Sequence, residues 1–168
     1  HTKARILDIN TSRIREALQK GNVVIVAGFQ GKTEGGEITT LGRGGSDLTA
    51  VALAKALGSK RCEIYTDVDG IYTADPRICP DARKLDQVSY DEILELASLG
   101  AQVMHSRSVE VGKKFNVPIW VKHSERNGRG TLITKENQKM EEVVVSGVAL
   151  NTSEAKITIF KVPDQPGV

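Results

Sequence analysis

Residues 23–66 read VVIVAGFQGKTEGGEITTLGRGGSDLTAVALAKALGSKRCEIYT, and the changes of chemistry along them decide the fold class. The first six, 23–28, form an unbroken apolar run rich in β-branched residues, the pattern of a parallel strand buried on both faces. A polar, glycine-rich stretch covers 29–45. Ser46 then stands as the N-cap of a helix over 47–57, whose apolar residues go nearly all round, and Gly58 stops it. A second strand follows over 62–66. Strand, glycine-rich loop, buried helix and strand in succession indicate an α/β protein with a largely parallel sheet.

The rest of the chain extends this rhythm. Residues 6–9 read as a short strand, and Thr11-Ser12 cap a helix to about Lys20 that ends on Gly21. Residues 67–85 form a long loop, with Asp69-Gly70, Asp75-Pro76 and Pro80 as turn signals. Ser89 and Glu92 have the spacing of a capping box, which opens a helix to about Ser98. Gly100 separates it from a second helix over 103–115. Strands are expected over 117–122 and 131–134, then a charged linker over 135–142. Beyond it, 143–148 and 155–160 alternate as strands of a different body.

Composition excludes several function classes. The 168 residues carry 23 Lys plus Arg against 21 Asp plus Glu, a net +2 that builds no basic field for nucleic acid or membrane. Three Phe, three Tyr and one Trp are too few for a base-stacking surface. Cys62 and Cys79 form neither a disulfide framework nor a zinc pattern, and the apolar runs fall far short of the ~20 residues of a membrane helix. The chain reads as a cytoplasmic protein without a signal peptide and with no metal site.

Two segments carry chemistry. Residues 39–47 (TTLGRGGSD) join a glycine-rich loop to a helix start, where free amides and the helix dipole favour an anion. Glycine lets the backbone approach that anion, Arg43 adds a planar fork for carboxylate or phosphate, and Asp47 suits an ammonium or a lysine. The loop lacks the Gly-Lys-Ser/Thr ending of a P-loop. Residues 65–77 (YTDVDGIYTADPR) follow a strand, where open α/β sheets bind ligands, and offer aromatic rings, hydroxyls, carboxylates and an arginine suited to a nucleotide. His105 reads as an ordinary helix residue with a satisfied hydrogen bond. His123 has no metal-ligand spacing, Cys62 reads as core, and Cys79 has no neighbouring base.

Together, 39–47, 66–77 and 90–110 (YDEILELASLGAQVMHSRSVE) resemble, in order and spacing, the aspartate kinases of the amino acid kinase family. The resemblance covers essentially the whole chain. It implies a three-layer αβα sandwich with a mostly parallel sheet over 1–141, as the C-terminal part of a kinase domain, and the start of an α+β ACT regulatory domain over 142–168. It also implies transfer of a phosphoryl group from ATP, with Mg2+ on the nucleotide phosphates, to the β-carboxylate of L-aspartate. On this resemblance Arg43, Gly44, Gly45, Ser46 and Asp47 meet the substrate, with Asp47 catalytic. Tyr65, Thr66, Asp67, Tyr72, Arg77, Gln102 and Val103 meet the nucleotide, and Asp164 and Gly167 an amino-acid effector such as lysine or threonine. A homo- or hetero-oligomer is expected. Gln102 stands where many relatives carry Lys, and Ser106 where many carry Pro. The family's N-terminal Lys-Phe/Tyr-Gly-Gly loop does not occur in these residues, so the chain by itself is expected to be inactive. A uridylate or acetylglutamate kinase, and a non-catalytic regulatory subunit, stay open as alternatives.

Overall fold

A computed structural model describes residues 4–98, 104–136 and 147–150. Helix α1 spans Ser12–Gln19, and strands β1 (Gln30–Lys32) and β2 (Ile38–Thr40) make an antiparallel hairpin. Then follow α2 (Gly45–Leu57), β3 (Cys62–Thr66), β4 (Gln87–Ser89), α3 (Tyr90–Ser98), α4 (Ser106–Phe115), β5 (Ile119–His123) and β6 (Thr131–Thr134). The main sheet has the order β3-β5-β6-β4. Strands β3 and β5 are parallel, as are β6 and β4, while β5 and β6 run antiparallel. The expected α/β class with a mostly parallel sheet is therefore what the chain adopts.

Register explains the core. Cys62 lies opposite Ile119, which on its other side lies opposite Ile133, itself paired with Val88. Alternation along the strands turns all four to one face, and all four are buried. Helices α2, α4 and α3 pack side by side and bury Val51, Val109 and Ile93 in the same core. Of the three expected layers, the described residues show this helix layer and the sheet. Tyr90 opens α3 from within the core and donates its hydroxyl to the Val117 carbonyl at 2.7 Å, and burial pushes its phenol up to about 12. The capping box forms as expected: the Ser89 amide donates to Glu92 at 2.7 Å, and the Glu92 amide donates to Ser89 Oγ at 3.1 Å.

A single buried hydroxyl fixes the long loop. Thr131 Oγ1 accepts the Ile71 amide at 2.8 Å and donates to the Leu85 carbonyl at 2.5 Å, tying both ends of 71–85 to β6. Gly70 permits the approach, because it sits at φ +152° and a Cβ there would lie 2.5 Å from that hydroxyl.

Four expectations are corrected. Residues 6–9 and 23–28 form no regular element and pair with no strand among the described residues, and Val23 and Ile25 are 93% and 95% exposed. Strand propensity is realised only against a neighbouring backbone and a covered face, and the described residues supply no paired strand there. The β1–β2 hairpin was not anticipated, because its residues are polar; its turn closes through the Thr33 amide on the Glu37 carbonyl at 2.8 Å. Helix α4 begins at Ser106 rather than 103, with His105 as its N-cap. Strand β5 spans 119–123 rather than 117–122, since the Val117 amide is still spent on the Gly112 carbonyl at the end of α4 and Pro118 has no amide hydrogen to donate. The linker beyond 136 and the expected strands over 143–148 and 155–160 lie outside the described residues, apart from 147 and 148, which are not in a strand.

Thr131→Val keeps the shape but removes both hydroxyl bonds and leaves the Ile71 amide buried without a partner. It should cost about 1–3 kcal/mol, read as a lower urea midpoint with an unchanged slope.

Candidate functional site

The start of α2 is shaped by Gly44, which occupies the left-handed region at φ +71° and serves as N-cap without any side-chain capping bond. Ser46, expected as the cap, instead lies exposed in the first turn. The reason is that the left-handed glycine starts the helix two residues early, with the Gly45 amide donating to the Gly42 carbonyl at 2.9 Å. Arg43 is exposed and has no partner among the described residues. Asp47 follows in the first helical turn, half-buried.

His105 closes this corner from α4. A Cβ on Gly44 would overlap the His105 ring, so only glycine fits beneath it. Burial raises the Asp47 carboxyl above its ordinary value of 3.8, and the His105 imidazole and a backbone hydrogen bond from His105 act against that rise. The ring's Nδ1 is buried and has no hydrogen-bond partner among the described residues, contrary to the expectation of a satisfied histidine. Nearby, the Arg107 guanidinium donates to the carbonyls of Leu41 at 2.7 Å and Ala4 at 2.8 Å, tying the glycine-rich loop to α4.

The second group gathers at the C-terminal ends of the parallel pair β3–β5, where Thr66 lies in register with His123. The Thr66 hydroxyl donates to Asp67 at 3.0 Å, and its carbonyl accepts the Ser124 amide at 2.8 Å, which prolongs the pairing past the strand ends. His123 Nδ1 accepts the amides of Glu125 and Arg126 at 3.0 and 3.1 Å, fixing the turn that follows. Tyr72 donates its hydroxyl to Asp69 at 2.8 Å, and this bond holds the Asp69 carboxyl below its usual range. Tyr65 alternates to the opposite sheet face from Thr66 and donates to Glu63 at 2.8 Å. Arg77 forks the Asp75 carboxylate, with its Nη2 at 2.8 Å, and is otherwise exposed.

The structure thus joins Gly44 and Asp47 to His105, and Thr66 to the 123–126 turn, with Asp67 bonded to Thr66 and Arg77 held by its neighbour. Gln102, Val103, Asp164 and Gly167 lie outside the described residues. His105, Arg107 and the 123–126 turn were not among the residues assigned from sequence. Only the bulk-free Gly44 hinted that something must lie against the loop. Chemically, the α2 start offers amides and a free guanidinium beside a half-buried carboxylate, which suits a small ligand carrying both charges. No group of His, Cys, Asp and Glu able to hold a metal occurs among the described residues.

The model of the amino acid kinase family matches residues 1–123. Aspartate kinase of Pseudomonas putida is 58% identical over 169 aligned residues, which span 100% of this chain and 41% of that protein. The chain therefore covers about two fifths of the length of the curated relatives it matches. Among solved structures, E. coli aspartokinase III in complex with aspartate and ADP is similar, with a TM-score of 0.68 at 37% identity, over 76% of this chain and 29% of that one. The same enzyme in complex with lysine and aspartate gives a TM-score of 0.66 at 37% identity, with the same coverage.

The buried carboxylate makes a prediction about stability. Because burial raises the folded-state value of Asp47, the folded chain holds that proton more tightly than the unfolded one. The resulting stability is full below about pH 4 and is lost as pH rises through the raised value. Asp47→Asn should therefore melt higher than the parent at pH 7, with the difference shrinking toward zero near pH 4 in thermal scans.

Proposed function

Because the chain belongs to the amino acid kinase family, we propose that it forms part of an aspartate kinase, which transfers the γ-phosphoryl group of ATP to the β-carboxylate of L-aspartate. A carboxylate oxygen attacks the γ-phosphorus, the bond to the β,γ-bridging oxygen breaks, and 4-phospho-L-aspartate and ADP result. The observation that carries this reading is the α2 start, where the exposed Arg43 and the half-buried Asp47 flank the open amides of a left-handed glycine turn. Arg43 clamps a substrate carboxylate, and Asp47 holds the ammonium or a lysine that steadies the phosphates. The similar E. coli enzyme was solved with aspartate and ADP, which supports the same pair of ligands here.

Thr66, Asp67 and Tyr72, with Tyr65, Arg77, Gln102 and Val103, form the nucleotide side of the proposal. Phosphoryl transfer asks the protein mainly for alignment and charge neutralisation, and both are properties of strand ends and helix starts. Mg2+ belongs to the proposal as an ion carried on the ATP phosphates, where it neutralises their charge. Residues 1–141 are read as kinase-domain residues, a span that contains the family match, and 142–168 as the entry to an ACT regulatory domain. There Asp164 and Gly167 meet an amino-acid effector; the lysine complex of the similar enzyme supports that ligand class. An oligomeric, cytoplasmic enzyme of lysine, threonine and methionine biosynthesis completes the proposal. No helix of the described residues is long and apolar enough to cross a membrane.

Two measurements test it. In the complete enzyme, Arg43→Lys should raise the aspartate KM about tenfold while the ATP KM stays nearly unchanged, because an ammonium cannot form the bidentate fork. A change confined to the ATP KM would remove the clamp. Residues 1–168 alone, purified and assayed with Mg-ATP and aspartate, should form no detectable acyl phosphate. Their 23–28 segment presents Val23 and Ile25 to solvent instead of to a sheet. Robust turnover by the isolated chain would overturn that expectation.

A further inference from the structure

We infer that His105 is a positioning residue for Asp47, holding its carboxylate in place at the start of α2; the inference rests on the role proposed above for Asp47. Three observations converge on it. The first is steric. The His105 ring occupies the space that a Cβ on Gly44 would fill, so the turn that starts α2 and the N-cap of α4 are built against each other. The left-handed turn at Gly44 aims the first helical residues, Asp47 among them, and the ring braces that turn.

The second is electrostatic. His105 acts on the Asp47 carboxyl through both its imidazole and a backbone hydrogen bond, each opposing the effect of burial. Cys62 also lies in this field: burial first, and the Asp47 and Glu63 charges next, push its thiol up to about 11, so it stays neutral beside Asp47. The nearby Arg107 guanidinium is engaged by the carbonyls of Leu41 and Ala4.

The third is the buried Nδ1, which no group among the described residues hydrogen-bonds. A buried polar atom without a partner is unfavourable, and an apolar side chain would fill the same space without that cost. Packing alone therefore does not account for an imidazole at this corner, whereas the charge of Asp47 does. His105 is given no contact with the reacting atoms. It acts through Asp47, and small displacements of an aligning carboxylate are expensive in phosphoryl transfer.

The test uses the complete enzyme with His105→Ala, His105→Asn, Asp47→Asn and the His105→Ala/Asp47→Asn double variant. His105→Ala should lower kcat for acyl phosphate formation at least about tenfold, with the ATP KM within about twofold. Its melting temperature should stay within about four degrees of the parent. His105→Asn, which keeps a planar polar group, should recover part of the loss. In the Asp47→Asn background, His105→Ala should make no further difference, since both changes break one interaction. Additive losses would overturn the inference, and so would a fall in melting temperature with both substrates' constants drifting together. Independently of turnover, the 13C carboxyl signal of Asp47 should titrate at higher pH in His105→Ala, and an unchanged titration would also overturn it. If the parent enzyme makes no acyl phosphate, the functional reading falls, and the carboxyl titration still decides the role of His105.

Discussion

Strand β5 is the member on which the rest of the structure depends. It is paired on both sides, parallel to β3 and antiparallel to β6, and its Ile119 and Val121 are buried beneath the helix layer. Ladder bonds on both edges and a covered face leave it no alternative register, because a slip of one residue would turn Lys122 and Trp120 into the core. From that fixed strand the functional geometry follows. The parallel pairing with β3 sets Thr66 beside His123, and the antiparallel return of β6 brings Thr131 to the loop that carries Tyr72 and Asp69. The Val117 carbonyl, just ahead of β5, receives the Tyr90 hydroxyl and so locks the start of α3.

The chemistry lies at the rims of this core, in two electrostatic settings. At the strand ends the charges are solvated and paired locally, as with Asp75 and Arg77, and water screens such surface pairs so that they add little to stability. They organise a loop more than they stabilise the fold. At the α2 start a carboxylate is drawn half out of water beside an imidazole, and there each interaction is felt more strongly. On the function proposed above, the contrast divides the labour between a solvated rim for a polyanionic nucleotide and a partly desolvated corner for a small acceptor.

Local signals in the sequence were enough for the parts that depend on neighbours along the chain. The all-round apolar pattern of α2 and its Gly58 stop, the β-branched β6, and the Ser89–Glu92 box each form where the residues indicate, because period and capping are short-range properties. The glycine-rich loop running into α2 and the loop after β3 were legible too, since backbone freedom and turn residues leave their mark in sequence. Those segments also carried the family resemblance, which the match over residues 1–123 bears out.

Only the tertiary structure decided what depends on distant partners. Residues 23–28 have every local property of a central strand, yet they pair with nothing among the described residues, since a ladder needs a second backbone that propensity cannot supply. The sheet order β3-β5-β6-β4 was equally hidden, because no local pattern says that β4 will lie beside β6, some forty residues further along the chain. The α2 start carries the same lesson. Arg43, Gly44 and Asp47 could be picked out from the chain, but His105 stands some sixty residues away and looked like an ordinary helical histidine. Its place against Gly44 and Asp47 is set by how α4 packs across α2, a contact between side chains far apart in sequence that no local pattern records.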